Sequence, residues 1–160
     1  MLIYTHALDI YHTQYRMMIL FNSIYKEFTI EQVRIFDFMI AFPSYLKKIR
    51  KTKNVKIRAT MNKYEFSGSF QQCFYLMEQI QISALLSLVA KNIVLKNENK
   101  FIRNINFDFI YNKISSIEKT KEQDEALSLI VGMLSDINTC GKDGLKDRTN
   151  LMESLYDPRI

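Results

Sequence analysis

The stretch EFTIEQVRIFDFMIAFPSYL, Glu27 to Leu46, decides the fold of this chain. Its apolar residues recur at helical spacing up to Phe42 and Pro43, and a second short apolar run follows the proline. Pro43 has no backbone N–H and pushes Phe42 out of the α region. The sequence therefore predicts a buried helix that ends at Ala41-Phe42, with one more turn after the proline.

The start of this helix carries its own signals. Thr29 and Gln32 are three residues apart, which is the register of a capping box, and Phe28 precedes the cap as a hydrophobic staple would. The core-facing stripe of the helix is predicted to consist of Val33, Phe36 and Ile40.

Asp37 is the one carboxylate within the strongly apolar part of this helix. A position on the solvent face is expected, because acidic side chains are seldom buried. If Asp37 is buried, it needs a partner such as Arg34 or a group on another subunit.

Helical periodicity and turn signals divide the rest of the chain into further elements. Two apolar runs, one on each side of residues 96–100, predict a β-hairpin. Further helices are predicted, with Thr5 as the N-cap of the first, over residues 6–25, 70–77, 80–93, 107–118 and 122–138. The predicted fold class is mainly α: a compact helical domain with a winged-helix-like β-hairpin.

The 160 residues are 48% hydrophobic, which is enough to bury one core. A single domain over residues 1–160 is expected, with a basic flexible connection over about 47–69 and a C-terminal docking segment over about 141–160. Cys73 and Cys140 lie far apart and are expected to be free thiols in a reducing cytoplasm. Because no signal peptide or membrane-spanning stretch is recognised, a cytoplasmic location is expected.

Residue chemistry does not indicate an enzyme. The sequence shows no nucleophile arrangement, metal cluster or phosphate loop, and its four glycines form no glycine-rich cradle. His6 and His12 are six residues apart on a predicted helix, which places them on different faces and argues against a metal pair. No catalytic residue, metal ligand, cofactor or small-molecule substrate is predicted.

The net charge of +5 is modest, but its distribution is uneven. Residues 47–58 contain seven basic side chains and no acidic one, which suits contact with a polyanion, although a solvated linker is the alternative. Basic residues of the predicted hairpin would extend such a surface, but the helix before it offers few polar or basic side chains for reading bases. The candidate DNA-binding residues are Lys47, Lys48, Arg50, Lys51, Lys53, Lys56, Arg58, Lys96, Lys100 and Arg103.

The segments HALDIYHTQYRMMIL (6–20) and RIFDFMIAFPSYL (34–46) resemble the middle-component proteins of bacterial ABC-three-component systems. Lamassu-type defence systems contain such a subunit. The segment GLKDRTNL (144–151) is similar to the family's C-terminal segment. The second segment holds a D-F-x-x-x-F-P core, formed by Asp37, Phe38, Phe42 and Pro43.

This resemblance implies a non-catalytic accessory subunit in bacterial defence. Such a subunit binds an SMC-like ABC ATPase and helps couple it to a separate effector, often a nuclease, with DNA contacted through the complex. No membrane partner is expected. The alternative is a stand-alone winged-helix DNA-binding regulator, which would dimerise and bind a defined duplex site. The candidate partner-binding residues are Tyr11, Tyr15, Phe38, Phe42 and Tyr45.

Overall fold

The computed structural model describes residues 5–49, 57–58 and 69–152, and helix α2 (Ile30–Ala41) lies in the middle of its core. Every residue of α2 from Val33 to Ile40 is buried, so the helix is covered on all sides and not along one stripe. The helix is covered by α1 (Ile10–Ser23), α4 (Glu78–Ala90) and α6 (Lys121–Gly132). A helix that is buried around its whole circumference lies inside a fold, and here the two buried charged residues of α2, Arg34 and Asp37, need partners there.

Both ends of α2 follow the local signals in the sequence. The Thr29 hydroxyl accepts a hydrogen bond from the Gln32 N–H at 3.3 Å, and the Gln32 side-chain oxygen accepts one from the Thr29 N–H at 2.9 Å. The predicted capping box is therefore confirmed. The helix ends at Ala41, and a 3-10 helix follows over Pro43–Lys48, which confirms the predicted break and the extra turn.

The predicted first helix is divided into two segments. A 3-10 helix covers His6–Leu8, and α1 begins only after Asp9, whose backbone is extended at φ −100° and ψ 128°. The Asp9 carboxylate accepts a hydrogen bond from the His12 N–H at 2.9 Å and caps α1. The expectation that Thr5 caps one continuous helix was wrong, because Asp9 is a second and stronger N-cap within the run.

The remaining helices differ in their bounds from the prediction, and α4 begins two residues before the predicted Ile80 and ends three residues before Ile93. Helix α6 ends at Gly132, since Met133 departs from helical geometry at φ −144° and ψ −53°, and a separate 3-10 helix follows over Leu134–Asp136. The other helices are α3 (Phe70–Leu76), α5 (Asp108–Ser115) and α7 (Leu145–Thr149), and a 3-10 helix over Ile105–Phe107 precedes α5.

The strands form one small antiparallel sheet. Strands β2 (Val94–Asn97) and β3 (Lys100–Arg103) are joined by a two-residue turn, which confirms the predicted hairpin. A third strand, β1 (Phe28–Thr29), pairs with β3, so the sheet order is β1-β3-β2. The described chain is thus mainly helical with a small sheet, as predicted. Strand β1 was not predicted, because a two-residue strand carries no periodicity of its own.

Aromatic rings fill the core beside the proline break. The Phe38 ring lies 4.9 Å from Phe42, 5.3 Å from Tyr45 and 5.5 Å from Phe74, measured between ring centroids. These contacts join α2, the 3-10 helix and α3 into one cluster.

In the part of the chain that the structure describes, no single helix is long and apolar enough to cross a membrane. Helices α3 and α4 are long and apolar enough only when they are taken together, and they are bent by 45° relative to each other.

Candidate partner-binding site

The five candidate partner-binding residues fall into two groups. Tyr11 and Tyr15 lie on α1, where the Tyr11 side chain is 75% exposed and Tyr15 is half-buried. The other three belong to the aromatic core cluster, since Phe38, Phe42 and Tyr45 are each at most 4% exposed. In this chain alone, the first group can be reached by a partner and the second group supports the fold.

A shallow apolar depression lies beside Tyr11 on the surface. It has a volume of about 300 Å³ and is lined by Tyr11, His12, Tyr15 and Ile117. Ile117 follows α5 and is 48% exposed. The depression therefore brings together α1 and the connection between α5 and α6. It can accept an apolar side chain.

The Tyr15 hydroxyl does not contribute a polar group to the surface of this depression. Its oxygen is buried and has no hydrogen-bond partner among the described residues. Burial raises the pKa of the Tyr15 phenol, and the nearby Asp124 carboxylate raises it further. The phenol is therefore protonated at neutral pH, and because its oxygen is buried, a partner can reach the ring of Tyr15 but not its hydroxyl.

Asp37 lies elsewhere in the molecule, and the expectation that it faces solvent was wrong. It is 0% exposed and accepts hydrogen bonds from Arg16 Nε at 2.7 Å and Arg16 Nη2 at 3.3 Å. Its charged partner therefore comes from α1 and is not Arg34. Two hydrogen bonds from one guanidinium suit a buried carboxylate, because both charges are compensated.

The same carboxylate connects α2 to α4. Gln81 Nε2 donates to Asp37 at 2.9 Å and to the Arg34 carbonyl at 3.1 Å. Arg34 in turn donates to the Gln81 side-chain oxygen at 3.1 Å and to Glu78 at 3.0 Å. Three helices thus share one hydrogen-bonded group of side chains. This network orients the helices relative to one another and is not part of the partner-binding surface.

His6 and His12 are brought together, although the sequence predicted different faces of one helix. The His6 Nδ1 and His12 Nε2 atoms are 3.1 Å apart. The break at Asp9 allows this, because the 3-10 helix His6–Leu8 is not continuous with α1. Among the described residues, no group of three or more His, Cys, Asp or Glu side chains could hold a metal ion.

The structure describes only part of the candidate DNA-binding set. Lys47 and Lys48 are exposed on the 3-10 helix, where Lys48 lies over the Phe70 ring at 4.6 Å, and Arg58 is exposed beside α6. The candidates Arg50, Lys51, Lys53 and Lys56 lie outside the described residues.

The three candidates on the hairpin differ in environment. Lys96 and Lys100 are exposed, and Lys100 lies 3.9 Å from a Glu27 carboxylate oxygen. Arg103 is only 9% exposed and donates to Asp108 and to Asn22, both at 2.7 Å. In this structure, Arg103 is paired inside the fold, whereas the two lysines face solvent.

Sequence reasoning did not identify Ile117 or the buried network. Ile117 adjoins Tyr11 only because α5 lies against α1. The Arg16 to Asp37 pair spans 21 positions, so no local pattern indicates it.

Comparison with known proteins gives one family. No curated protein and no solved structure matches the chain. A family model described as ABC-three component (ABC-3C) system Middle Component 5 matches residues 2–157. Because this match covers nearly the whole chain, the protein belongs to the Middle Component 5 family of ABC-three component systems.

Proposed function

We propose that this chain is a non-catalytic accessory subunit that binds an SMC-like ABC ATPase in the cytoplasm. It helps to couple that ATPase to an effector subunit, a nuclease, in a defence system of the Lamassu type. Membership of the middle-component family supports this proposal, since the family's name implies partnership with the other components of an ABC-three component system.

The depression beside Tyr11 supports a role in partner binding. Exposed aromatic side chains are enriched at protein interfaces, and Tyr11 is 75% exposed next to an apolar hollow. A partner that places an apolar side chain against Tyr11 and Ile117 would fill this hollow.

Reconstitution with the other two components of the system tests this proposal. We expect Tyr11→Lys together with Ile117→Lys to weaken binding to the ATPase at least tenfold, because lysine charges would be buried against apolar surface. Ile105→Lys is the matched control, since Ile105 is 62% exposed and lies outside the depression. If neither component binds the wild-type chain, the accessory role is contradicted.

Contact with DNA through the complex is a second part of the proposal. Lys47, Lys48 and Arg58 are exposed and belong to the basic run of the sequence. Charge reversal to glutamate at Lys47, Lys48, Arg50, Lys51 and Lys53 is expected to weaken DNA binding by the complex. Each lost phosphate contact should reduce the slope of log affinity against log salt by about 0.9.

Glutamates at Lys113 and Lys142 serve as the control for this experiment, because both lysines are exposed outside the basic run. DNA binding that is unchanged by the five reversals would contradict the assignment.

The alternative is a stand-alone winged-helix regulator. The hairpin directly after α4, with the strand order β1-β3-β2, favours it. A recognition helix needs polar or basic side chains toward the groove, and the single charged residue of α4 is Glu78. A purified homodimer that binds a defined duplex site would support the regulator over the accessory subunit.

A further inference from the structure

A second surface, distinct from the Tyr11 depression, runs along α3 and α4. Its exposed residues are Tyr75, Leu76, Gln79, Ser83, Leu86 and Ala90, and they form what is termed here the α3–α4 stripe. Positions 79, 83, 86 and 90 follow the helical repeat and lie on one face of α4. Tyr75 and Leu76 continue the row across the 45° bend between the helices.

The stripe is uncharged along its whole length. From Phe70 to Ala90 the sequence contains one charged residue, Glu78, in a chain of which 24% is charged. Glu78 lies beside the stripe and not in it: its side chain is 35% exposed, and its carboxylate accepts a hydrogen bond from the buried Arg34 side chain at 3.0 Å. At 1.5 Å per residue, the stripe from Tyr75 to Ala90 follows about 22 Å of helix.

The stripe shares two features with interface cores, since it has no charged residue and it exposes the aromatic ring of Tyr75. Such cores lose charged side chains and gain aromatic ones relative to the remaining surface. Tyr75 is 74% exposed, Leu76 is 56% exposed and Leu86 is 48% exposed. Single exposed apolar residues are ordinary, whereas neighbouring exposed apolar residues without charge among them are a feature of protein interaction sites.

The stripe is also held rigidly from behind. Gln81 lies on the opposite side of α4, is 0% exposed, and donates hydrogen bonds to Asp37 and to the Arg34 carbonyl. A surface that is ordered before binding loses less conformational entropy when the partner arrives.

Charge identifies the chemistry of the occupant. A partner that placed a charge on the stripe would bury it without a counter-ion, which is costly. The first exposed charges at the end of the stripe are basic: Lys91 directly after α4 and Lys96 on β2. The matching surface is therefore an uncharged apolar helix face with an acidic residue at one end.

We propose that the α3–α4 stripe binds such a helix from another component of the same three-component system. This rests on the proposed accessory role and adds a second contact surface to it. Ser83 is small, so the helix axes can approach closely between Tyr75 and Leu86, and Ala90 allows the same beyond Leu86.

The test uses the full chain and its two fellow components. Binding is measured by interferometry for wild type, Leu86→Lys and Gln79→Lys, with Val131→Lys as the matched control because Val131 is 45% exposed on α6. Each stripe variant is expected to weaken binding at least tenfold at an unchanged melting temperature, and the control less than twofold. A benzoylphenylalanine photo-crosslinker in place of Ser83 should attach to a helix with an uncharged face.

Other outcomes would overturn the inference and can be told apart from failure of the accessory role. If only the Tyr11 and Ile117 variants weaken binding, the accessory role stands and the stripe is not its contact surface. If no component binds the wild-type chain, the accessory role fails as well.

Two further measurements separate the competing occupants. Dimerisation that is detected by light scattering and abolished by Leu86→Lys would assign the stripe to a second copy of the chain. Flotation with neutral phosphatidylcholine vesicles that is lost in the same variant would assign it to a lipid surface. Either result contradicts a partner helix. If neither is observed and the stripe variants weaken binding to a component, a partner helix occupies the stripe.

Discussion

The buried carboxylate of Asp37 is the residue on which three helices depend. It is 0% exposed and receives hydrogen bonds from Arg16 on α1 and from Gln81 on α4. A buried ion pair is not in itself a large source of stability, because both charges lose their hydration. Removal of one partner is different, since the other charge then stays buried and uncompensated.

We therefore expect Asp37→Ala to lower the free energy of unfolding by about 3–5 kcal/mol. Asp136→Ala is the control, because Asp136 pairs with Lys26 where the two side chains are 69% and 48% exposed. An exposed pair of this kind contributes about 0–1 kcal/mol. Urea unfolding of both variants measures the difference. Equal effects of the two substitutions would contradict a structural role for the buried pair.

We also expect the two cysteines to differ in reactivity. Cys73 is buried, which raises the pKa of its thiol to about 11, whereas Cys140 is partly exposed. Because the thiolate is the reactive form, iodoacetamide at pH 8 is expected to modify Cys140 quickly and Cys73 only in denaturant. Mass spectrometry of the labelled peptides measures this, and Cys140→Ala should abolish the fast phase. Rapid native labelling of Cys73 would refute the prediction.

The raised pKa of Cys73 also has a consequence for stability. The unfolded thiol ionises near 9.0 and the folded thiol only near 11, so the folded state binds the proton more tightly. The associated stability is present below pH 9 and is lost as the pH rises toward 11.

At the scale of elements, the turn before α7 depends on one glycine. A Cβ atom at Gly144 would lie 2.7 Å from the Cys140 carbonyl oxygen. In the same turn, the Leu145 N–H donates a hydrogen bond to the Asn138 carbonyl at 2.7 Å. The Leu145 side chain, at the start of α7, is buried. The close backbone approach therefore requires the absence of a side chain at this position.

Gly144→Ala is expected to lower the free energy of unfolding by about 1–3 kcal/mol, because backbone atoms must move apart. Gly132→Ala is the matched control, since nothing lies within 4 Å of its Cβ position at the end of α6. That substitution is expected to stabilise the protein by up to about 1 kcal/mol. Thermal unfolding of the two variants should shift in opposite directions, and a shift in the same direction would refute the steric argument.

At the scale of the whole molecule, α2 holds the fold together. Its residues from Val33 to Ile40 are buried beneath α1, α4 and α6. The C-terminal part is also attached to this region, because Lys146 donates to Glu31 at 2.8 Å and the Tyr45 hydroxyl donates to the Thr149 carbonyl. Distant parts of the sequence thus meet at one central helix.

Hydrogen exchange should report this arrangement. The amides of α2 between Val33 and Ile40 are expected to exchange only through global unfolding, so their opening free energy should equal that from urea unfolding. Helix α5 is the internal comparison, because only Tyr111 and Ile114 are buried in it. Its amides should exchange faster through local opening. Equal protection of α2 and α5 would contradict a central role for α2.

Much of this architecture follows from signals between neighbouring residues. The Thr29 and Gln32 capping box, the break at Pro43 and the hairpin around residues 96–100 were each predicted and are confirmed. Caps, proline breaks and tight turns involve side chains and backbone groups only a few residues apart. The helices that were predicted too long, 6–25 and 122–138, are interrupted where Asp9 and Met133 leave helical geometry.

Sequence by itself determined the helical class, the ends of α2, the hairpin and the family resemblance, because each depends on local order along the chain. Tertiary structure alone decided which aromatic residues a partner can reach, since Tyr11 faces solvent while Phe38 and Tyr45 fill the core. It also decided the burial of Asp37, whose guanidinium partner stands 21 residues away. Burial depends on how helices pack in space, and residues distant in sequence supply that packing.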